Sequence, residues 1–229
     1  MSRTLKIYQI EQLDYPPACA FQMEQVNALH ASGDDGGILI LLEHPPVITV
    51  GRSGSDGNII VPKDLLAAQG VTVHETSRGG DVTYHGPGQI VGYPILPLKF
   101  HGKDIHRYLR NLERVLMRTL EAYGIPSFRR DGLTGVWTER GKIVSIGVAV
   151  RHWITYHGFA FNVAPNMDHF RLINPCGLVG VRMTGMVDFL ETTPMRAEVE
   201  DRIVSLFCEE FGFDRTERIK DPFVCGSNA

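Results

Sequence analysis

The chain has 229 residues, 43% of them hydrophobic and 21% charged, with a formal net charge of −3 at pH 7. These values describe an ordinary globular domain with a sizeable core, and the nearly balanced charge argues against a nucleic-acid-binding protein. No apolar run approaches the ~18 residues of a membrane helix, and the N-terminus lacks the apolar stretch of a secretory signal. The four cysteines are scattered without the spacing of a disulfide framework or a metal site, so we expect a cytoplasmic protein.

In the first half of the chain, hydrophobic periodicity predicts one helix followed by strands. After two prolines, apolar residues recur at helical spacing, at Cys19, Met23, Val26 and Leu29. Continuous apolar runs predict buried strands over residues 38–42 and 47–50, and residues 90–96 are again apolar. Residues 78–89, which we call the glycine-rich segment, interrupt these runs.

The second half of the chain contains the clearest helix, predicted over residues 103–123 and ended by Gly124. One face of this helix is marked by Leu109, Leu112, Leu116 and Leu120. Hydrophobic runs and alternation predict strands over residues 135–137, 142–150 and 153–163. A last amphipathic helix is predicted over residues 195–207.

The order of these elements bounds the fold. Strands outnumber helices, which favours the α/β (α+β) class, with a mixed β-sheet and flanking helices. The sequence contains no internal repeat and no linker that would divide the chain convincingly. We therefore expect a single catalytic domain over residues 1–213, followed by a polar and loose C-terminal tail over residues 214–229.

Two separated residues have settings that suit nucleophilic chemistry. Cys176 stands between a proline and a glycine, which holds its thiol on a turn, and Lys142 lies in an apolar strand-like run, where burial makes an amine chemically useful. If the two meet in space, they form a nucleophile with its proton partner. Taken alone, an inert core cysteine would be the commoner interpretation of Cys176, and the alternative for Lys142 is a surface lysine at the start of a strand. Cys19 and Cys208 lie on apolar helix faces and resemble core residues.

The glycine-rich segment is the densest motif. Its glycines allow a close backbone approach to a ligand and positive φ angles, and they are interleaved with arginine, threonine, tyrosine and histidine. This mixture favours a binding loop over a long surface turn. Within it, His85 is either a general acid or base or, as is commoner for a lone histidine, a hydrogen-bonded polar contact.

The segment, read as Arg78-Gly-Gly-Asp-Val-Thr-Tyr-His-Gly-Pro-Gly-Gln89, resembles the signature of the lipoyl(octanoyl) transferases, relatives of the lipoate and biotin protein ligases. Further blocks that agree in the same order are residues 43–52, 93–95, 141–147, 155–158, 175–177 and 183–184. Two positions depart from the family pattern. Gly185 stands where many relatives have serine, which leaves a hydroxyl role after Thr184 in doubt. Phe161 replaces an expected aliphatic residue, which affects the shape of an acyl pocket rather than the reaction.

The resemblance implies an acyltransferase of lipoate biosynthesis, with the fold of the lipoate and biotin protein ligase catalytic domain. Such an enzyme moves an octanoyl group from acyl carrier protein to a specific lysine of lipoyl domains. The implied acceptors are the apo lipoyl domains of 2-oxoacid dehydrogenases and the glycine cleavage H protein. We expect a monomer with no cofactor, no metal, no nucleic-acid partner and no membrane contact.

The match also implies site residues. Cys176 is the acyl acceptor and Lys142 its partner, and the candidates for binding the oxyanion are the backbone N–H of Gly177 or Cys176 and a donor near Gly79 and Gly80. His157 either lines the acyl pocket or is a satisfied core histidine. The expected substrate-binding residues are Arg78, Gly79, Gly80, Asp81, Val82, Thr83, Tyr84, His85, Tyr93, Ser145, Ile146, Gly147, His157, Gly158, Phe159 and Ala160.

Reference pKa values support thioester exchange between these two groups. With a thiol pKa of about 8.5 and an amine pKa of about 10.4, a shared proton prefers the amine by ~2.6 kcal/mol, before the cost of burying the two charges is counted. Cys176 can then attack the octanoyl thioester, and Lys142 can protonate the departing carrier thiol. The neutral Lys142 can afterwards take a proton from the acceptor lysine.

Three other functions are compatible with parts of the sequence. An ATP-dependent lipoate-protein ligase would share the fold and a glycine-rich loop but would not need Cys176. A non-catalytic lipoyl-domain or fatty-acyl binding module would bind without turnover. A Cys-His hydrolase using His85 or His157 would release free octanoate.

The long predicted helix also carries a basic stripe. At a rotation of about 100° per residue, one side of this helix carries five basic residues: Lys103, Arg107, Arg110, Arg114 and Arg118. This stripe either docks the acidic surface expected of acyl carrier protein or is an ordinary solvated face, on which Glu121 intrudes.

Overall fold

The computed structural model describes residues 2–177 and 180–223, apart from the side chains of residues 56, 63 and 176. Its α-helices are α1 (Tyr15–Ser32), α2 (Lys63–Ala68), α3 (Ile105–Glu121) and α4 (Arg196–Phe211). Its strands are β1 (Thr4–Gln12), β2 (Gly37–Glu43), β3 (Val47–Val50), β4 (Thr72–Glu75), β5 (Val82–His85), β6 (Gln89–Ile95), β7 (Phe128–Arg130), β8 (Leu133–Thr138), β9 (Gly141–Arg151), β10 (Ile154–Asn162) and β11 (Arg215–Ile219).

The strands form two sheets. An eight-stranded sheet has the order β11-β1-β2-β6-β10-β9-β8-β7, in which β1 pairs in parallel with β2 and β11 and the remaining pairs are antiparallel. A three-stranded sheet has the order β4-β3-β5. The predicted mixed sheet with flanking helices is therefore confirmed.

Strand β2 shows why the large sheet must lie between helices. Its side chains alternate between two cores: Leu39 and Leu41 pack with residues of α3 and α4, whereas Ile38, Ile40 and Leu42 pack with residues of α1. Because both faces are covered, the strand is apolar at successive positions, which explains the continuous run in the sequence. A third core lies under the small sheet.

Helix α3 begins and ends close to the predicted limits. The carboxylate of Asp104 caps it by accepting the N–H of Arg107 at 3.0 Å, so the helix starts two residues after Lys103. One face buries Leu112, Leu116 and Leu120. The same face also buries a carboxylate, that of Glu113, which the leucine pattern did not reveal.

Several elements were not predicted, because their sequences lack a clear periodic pattern. Strand β5 lies inside the glycine-rich segment, where the glycines suggested only a loop. The expectation of a loose chain after Phe213 is wrong for Arg215–Ile219, which pair in parallel with β1 at the edge of the large sheet. Four of these five residues are exposed, so the strand shows no buried face in the sequence. In the part of the chain that is described, no helix has the length and apolar character needed to cross a membrane.

Candidate active site

A cavity of about 380 Å³ lies against the middle of β9 and β10. Its wall includes the start of the glycine-rich segment, part of α3 and part of β8. Lys142 lines it, and so do all the expected substrate-binding residues except Tyr84. The exposed residues of its lining, which mark the opening, are Gly80, Ile105, Gly132 and Thr134.

Paired glycines bring the glycine-rich segment close to the large sheet. Gly147 and Gly158 are direct partners on β9 and β10. A Cβ on Gly147 would lie 2.7 Å from the carbonyl oxygen of Gly79, and the N–H of Gly79 donates to the carbonyl of Val148 at 2.9 Å. Since any side chain at 147 would push this backbone away, glycine is required for the close approach.

Lys142 is buried at the start of β9, with 3% of its surface exposed. Its backbone pairs with the segment that follows Cys176: its N–H donates to Arg182 at 2.8 Å, and its carbonyl accepts the N–H of Thr184 at 3.0 Å. Its ammonium nitrogen lies 5.4 Å from the centroid of the Trp137 ring, a cavity residue. The fold therefore fixes Lys142 in the cavity wall, beside the chain that leads away from the cysteine.

Cys176 lies in a short 3₁₀ turn, Pro175–Gly177, which we call the nucleophile turn. Its backbone is anchored to the segment between β3 and α2, because the N–H of Asn174 donates to the carbonyl of Asn58 at 2.8 Å. The side chain of Cys176 lies outside the described part of the chain. The predicted contact between its sulfur and the amine of Lys142 therefore stays a prediction.

Two of the expected oxyanion donors, the backbone N–H groups of Gly177 and Gly79, already have acceptors. The N–H of Gly177 donates to the carbonyl of Asn174 at 3.0 Å, and that of Gly79 donates to Val148 at 2.9 Å. Gly80 is different: among the hydrogen bonds of the described residues, none has its N–H as donor. Gly80 is exposed, has φ of 86° and lines the cavity.

Arg78 supplies the cavity with a buried guanidinium group. It donates through Nε to the Thr49 hydroxyl at 3.0 Å and through Nη2 to the Thr49 carbonyl at 2.6 Å. The same hydroxyl lies 3.5 Å from Nε2 of His85. Nε2 of Gln89 donates elsewhere, so its Oε1 accepts from Nδ1–H of His85 at 2.7 Å. Burial lowers the pKa of His85 well below its ordinary value, and the ring is neutral.

A second neutral histidine supports Tyr93. Nδ1 of His44 lies 2.6 Å from the carbonyl of Leu13, which makes it the donor, so Nε2 accepts the Tyr93 hydroxyl at 2.6 Å. Burial lowers the pKa of His44 to about 4 and raises that of Tyr93 well above its ordinary value. His44 lies outside the cavity lining and holds Tyr93 from behind.

His157 lines the cavity, which is one of the two roles that the sequence left open, and it is not a fully satisfied core histidine, because its buried Nδ1 has no hydrogen-bond partner among the described residues. Its φ of 55° lies in the left-handed region, and its N–H donates to Oε1 of Gln22 at 2.8 Å. Nε2 lies 3.1 Å from the Ser77 hydroxyl. Burial, followed by the charge of Arg78, lowers the pKa of His157 to about 3.

A family model described as the lipoyl protein ligase A/B catalytic domain matches residues 14–208. The chain belongs to this family. The octanoyltransferase of Geobacter metallireducens is 47% identical over 182 residues, which cover 80% of this chain and 82% of that protein. The octanoyltransferase of Caldicellulosiruptor saccharolyticus is 45% identical over 210 residues, covering 91% and 89%.

Solved structures show the same fold. A protein from T. acidophilum, described as a lipoate protein ligase with bound lipoic acid, superposes with a TM-score of 0.71 over 96% of this chain and 90% of that one. Its sequence identity is 18%, so this likeness concerns the fold alone. The predicted family and the predicted ligase-like fold are thus confirmed.

In this member of the lipoyl protein ligase A/B family, Tyr84 faces away from the cavity. Its ring packs in the core under the small sheet, 5.2 Å from the ring of Phe170, and its hydroxyl lies 2.7 Å from Nδ1 of His169. Alternation along β5 gives the reason, because Thr83 and His85 point to the side opposite Tyr84.

Sequence reasoning missed part of the cavity wall. Tyr15 opens α1 and donates its hydroxyl to Thr76 at 2.9 Å, and no motif marked it. Leu109 was recognised only as part of the apolar face of a helix. The other unpredicted lining residues are Val91, Ile105, Gly132, Leu133, Thr134, Trp137 and Val148. Most are ordinary apolar residues whose role depends on which strands and helices become neighbours.

Proposed function

We propose that the chain transfers an octanoyl group to a lysine of lipoyl domains through a thioester on Cys176, with Lys142 as the proton partner. The observation that carries this proposal is the position of Lys142, buried in the cavity wall and paired through its backbone with residues 182 and 184. The nucleophile turn lies a few residues earlier on the same segment. Curated octanoyltransferases that are 47% and 45% identical over most of the chain support the same activity.

The reaction proceeds in two acyl transfers. The Cys176 thiolate attacks the carbonyl carbon of the octanoyl thioester, the bond to the donor sulfur breaks, and the Lys142 ammonium gives that sulfur a proton. An acceptor lysine then attacks as a neutral amine, its nitrogen loses a proton to Lys142, and Cys176 leaves as a thiolate. Charge and protons are restored to the starting state.

The cavity suits the substrate of this reaction. Apolar side chains of Leu109, Leu133, Ile146 and Phe159 line it and can cover an alkyl chain. The tetrahedral intermediates require a hydrogen-bond donor for their oxyanion. Because the N–H groups of Gly177 and Gly79 already have acceptors, the N–H groups of Gly80 and Cys176 remain as the candidates for this role.

The partners we propose are acyl carrier protein as donor and the apo lipoyl domains of 2-oxoacid dehydrogenases and the glycine cleavage H protein as acceptors. Only part of the basic stripe supports the proposal that acyl carrier protein is the donor. Arg114 and Arg118 form ion pairs with Glu210 and Glu209 of α4, at the contact between the two helices. These two arginines are therefore already engaged in pairing the helices.

Other cations are close in sequence to Ile105 and Gly132, two exposed residues of the cavity lining. Arg107 is at the start of α3, and Arg130 precedes the turn that contains Gly132. Arg110 and Arg129 are partly exposed while both contact the buried Glu113. We define Lys103, Arg107, Arg110, Arg129 and Arg130 as the docking patch. A carrier that delivers an acyl group through this opening would meet them, and they complement an acidic surface.

A ligase that activates a free acid with ATP is supported only by likeness of fold. The two functions separate in one experiment. Wild-type protein is incubated with octanoyl carrier protein in the absence of ATP and its intact mass is measured, together with Cys176→Ser and Lys142→Arg. Transfer predicts one added octanoyl group on the wild type and none on Cys176→Ser. An unmodified wild type, with activity appearing only after addition of ATP, would establish the ligase.

A further inference from the structure

Asp81 lines the cavity, but its carboxylate is already used by the protein. Oδ2 accepts Nδ2–H of Asn58 at 2.8 Å, and Oδ1 accepts the N–H of Val82 at 2.7 Å. Hydrogen bonds to an ionised carboxylate are among the stronger ones in proteins. The carboxylate is therefore held by two neighbours at the point where the glycine-rich segment enters β5.

Asn58 connects this carboxylate to the nucleophile turn. Its side chain binds Asp81, and its backbone carbonyl accepts the N–H of Asn174 at 2.8 Å. The carbonyl of Asn174 in turn accepts the N–H of Gly177 at 3.0 Å. Asn58 itself does not line the cavity, so the connection runs behind the site.

Gly177 provides an independent contact between the same two regions. A Cβ at this position would lie 2.2 Å from Oδ2 of Asp81 and 3.2 Å from Nδ2 of Asn58. Its φ of 68° is also one that side chains disfavour. The carboxylate thus packs directly against the Cα of the residue that follows Cys176.

We propose that Asp81 is a positioning residue for the nucleophile: together with Asn58 it fixes the nucleophile turn against the glycine-rich segment. This inference rests on the proposed role of Cys176 and deepens it. It gives Asp81 a task other than substrate contact. Holding the reacting sulfur in one place relative to the bound acyl carbonyl is worth a large part of the rate, because small displacements of a nucleophile are costly.

The hydrogen bond can be broken and then rebuilt in the opposite direction. Asn58→Asp makes two carboxylates face each other, which repels the turn from Asp81. Asp81→Asn combined with Asn58→Asp restores one donor and one acceptor of unchanged size. Both variants and the wild type are compared with a small octanoyl thioester as donor. The acylation rate, its KM and the rate at which iodoacetamide alkylates Cys176 are measured by peptide mass spectrometry.

We expect Asn58→Asp to lower the acylation rate at saturation about tenfold or more, with KM changed less than about threefold, because a charge-assisted bond is lost outside the pocket. The double variant should recover to within about threefold of wild type, since coupled residues are non-additive. Alkylation of Cys176 should follow the same order. If Asn58→Asp does not fold, as judged by thermal unfolding, Asn58→Ala replaces it with the same expectation for the rate.

Wild-type rates in the Asn58 variant would overturn the positioning role, and so would a double variant as slow as Asn58→Asp. These outcomes are distinct from failure of the proposed function. If wild-type Cys176 takes up no octanoyl group, the thioester mechanism itself is rejected. If the wild type is acylated and the variants behave like it, only the role of Asp81 is rejected.

Discussion

Lys142 occupies the space that Gly135 leaves open on the neighbouring strand. A Cβ on Gly135 would lie 2.6 Å from Cε of Lys142 and 3.2 Å from its ammonium nitrogen. Gly135 is itself held from the other side, where its N–H donates to the buried carboxylate of Glu113 at 3.1 Å. The position of the amine in the cavity therefore depends on a residue with no side chain.

Gly135→Ala should displace the Lys142 amine and lower the rate of octanoyl transfer. The added methyl group would also meet the carbonyl of Val144 at 2.6 Å, so the backbone cannot move freely to accept it. We expect a loss of about 10²-fold, of the size that small misplacements of catalytic groups produce. The matched control is Gly124→Ala, which also has positive φ but no atom within 4 Å of its Cβ. Equal transfer rates in the two variants would contradict the prediction.

Thr49→Val should destabilise the fold through Arg78. The hydroxyl of Thr49 accepts Nε–H of Arg78 and contacts His85, and valine keeps the shape but removes the acceptor. Losing a buried hydrogen bond to a charged group costs about 1.5–3 kcal/mol. Urea unfolding of Thr49→Val should show this loss, whereas Thr72→Val, an exposed threonine of β4, should differ from wild type by less than about 0.5 kcal/mol. If the midpoint of urea unfolding is the same for Thr49→Val as for wild type, the hydrogen bond between Thr49 and Arg78 does not stabilise the fold.

The sequence predicted the central strands and long helices because their burial leaves a regular pattern. The continuous apolar run at 38–42 and the leucine face of the helix ending at Glu121 are examples. The edge strands β11 and β5 were not predicted, because β11 is exposed and β5 lies among glycines. An amphipathic pattern indicates which face of a helix or strand is buried, but it does not indicate the order of the strands in a sheet.

The same difference applies to the candidate site. Lys142 and the glycine-rich segment were predicted from motifs, and the structure brings them to one cavity. The turn at residues 139–141 predicts β8 and β9 as neighbours, but the sequence does not show which side chains of β8 face a cavity, so Trp137 and Leu133 could not be assigned to it. Tyr84 was included for its place in a motif, although alternation along β5 turns it away.

The buried histidines should make the protein less stable in mild acid. The pKa of His44 is about 4 in the folded chain and about 6.5 when unfolded, so the unfolded state binds more protons below pH 6.5. Stability is therefore complete above pH 6.5 and falls as the pH drops toward the folded pKa. Between pH 7 and pH 5 the loss from His44 is on the order of 2 kcal/mol.

Urea unfolding at the two pH values checks this expectation. His44→Gln removes the titrating group, so its free energy of unfolding should fall less between pH 7 and pH 5 than that of wild type. His152→Gln is the matched control, because His152 is an exposed histidine on the β9–β10 turn and should retain the wild-type dependence. A His44→Gln protein with the full wild-type loss would show that this ring does not titrate as described.

Reversing charge at the docking patch should weaken use of the carrier-bound donor. Arg107→Glu with Arg130→Glu is the informative pair, since neither arginine forms an ion pair with Glu113. We expect KM for octanoyl carrier protein to rise about tenfold and to depend less on salt, because attraction at the opening becomes repulsion. With a small octanoyl thioester, KM should change less than about threefold, since no protein surface is docked.

The control for this pair lies at the opposite edge of the same sheet. Lys6→Glu with Arg215→Glu makes the same change in net charge on β1 and β11, whereas Arg130 is on β7, the last strand at the other edge. Because exposed charges beyond a Debye length are largely screened, the control should leave both KM values near wild type. A rise in KM for the carrier in both pairs would indicate a general effect of net charge. Equal losses with the carrier and the small thioester would indicate damage to the cavity instead of to docking.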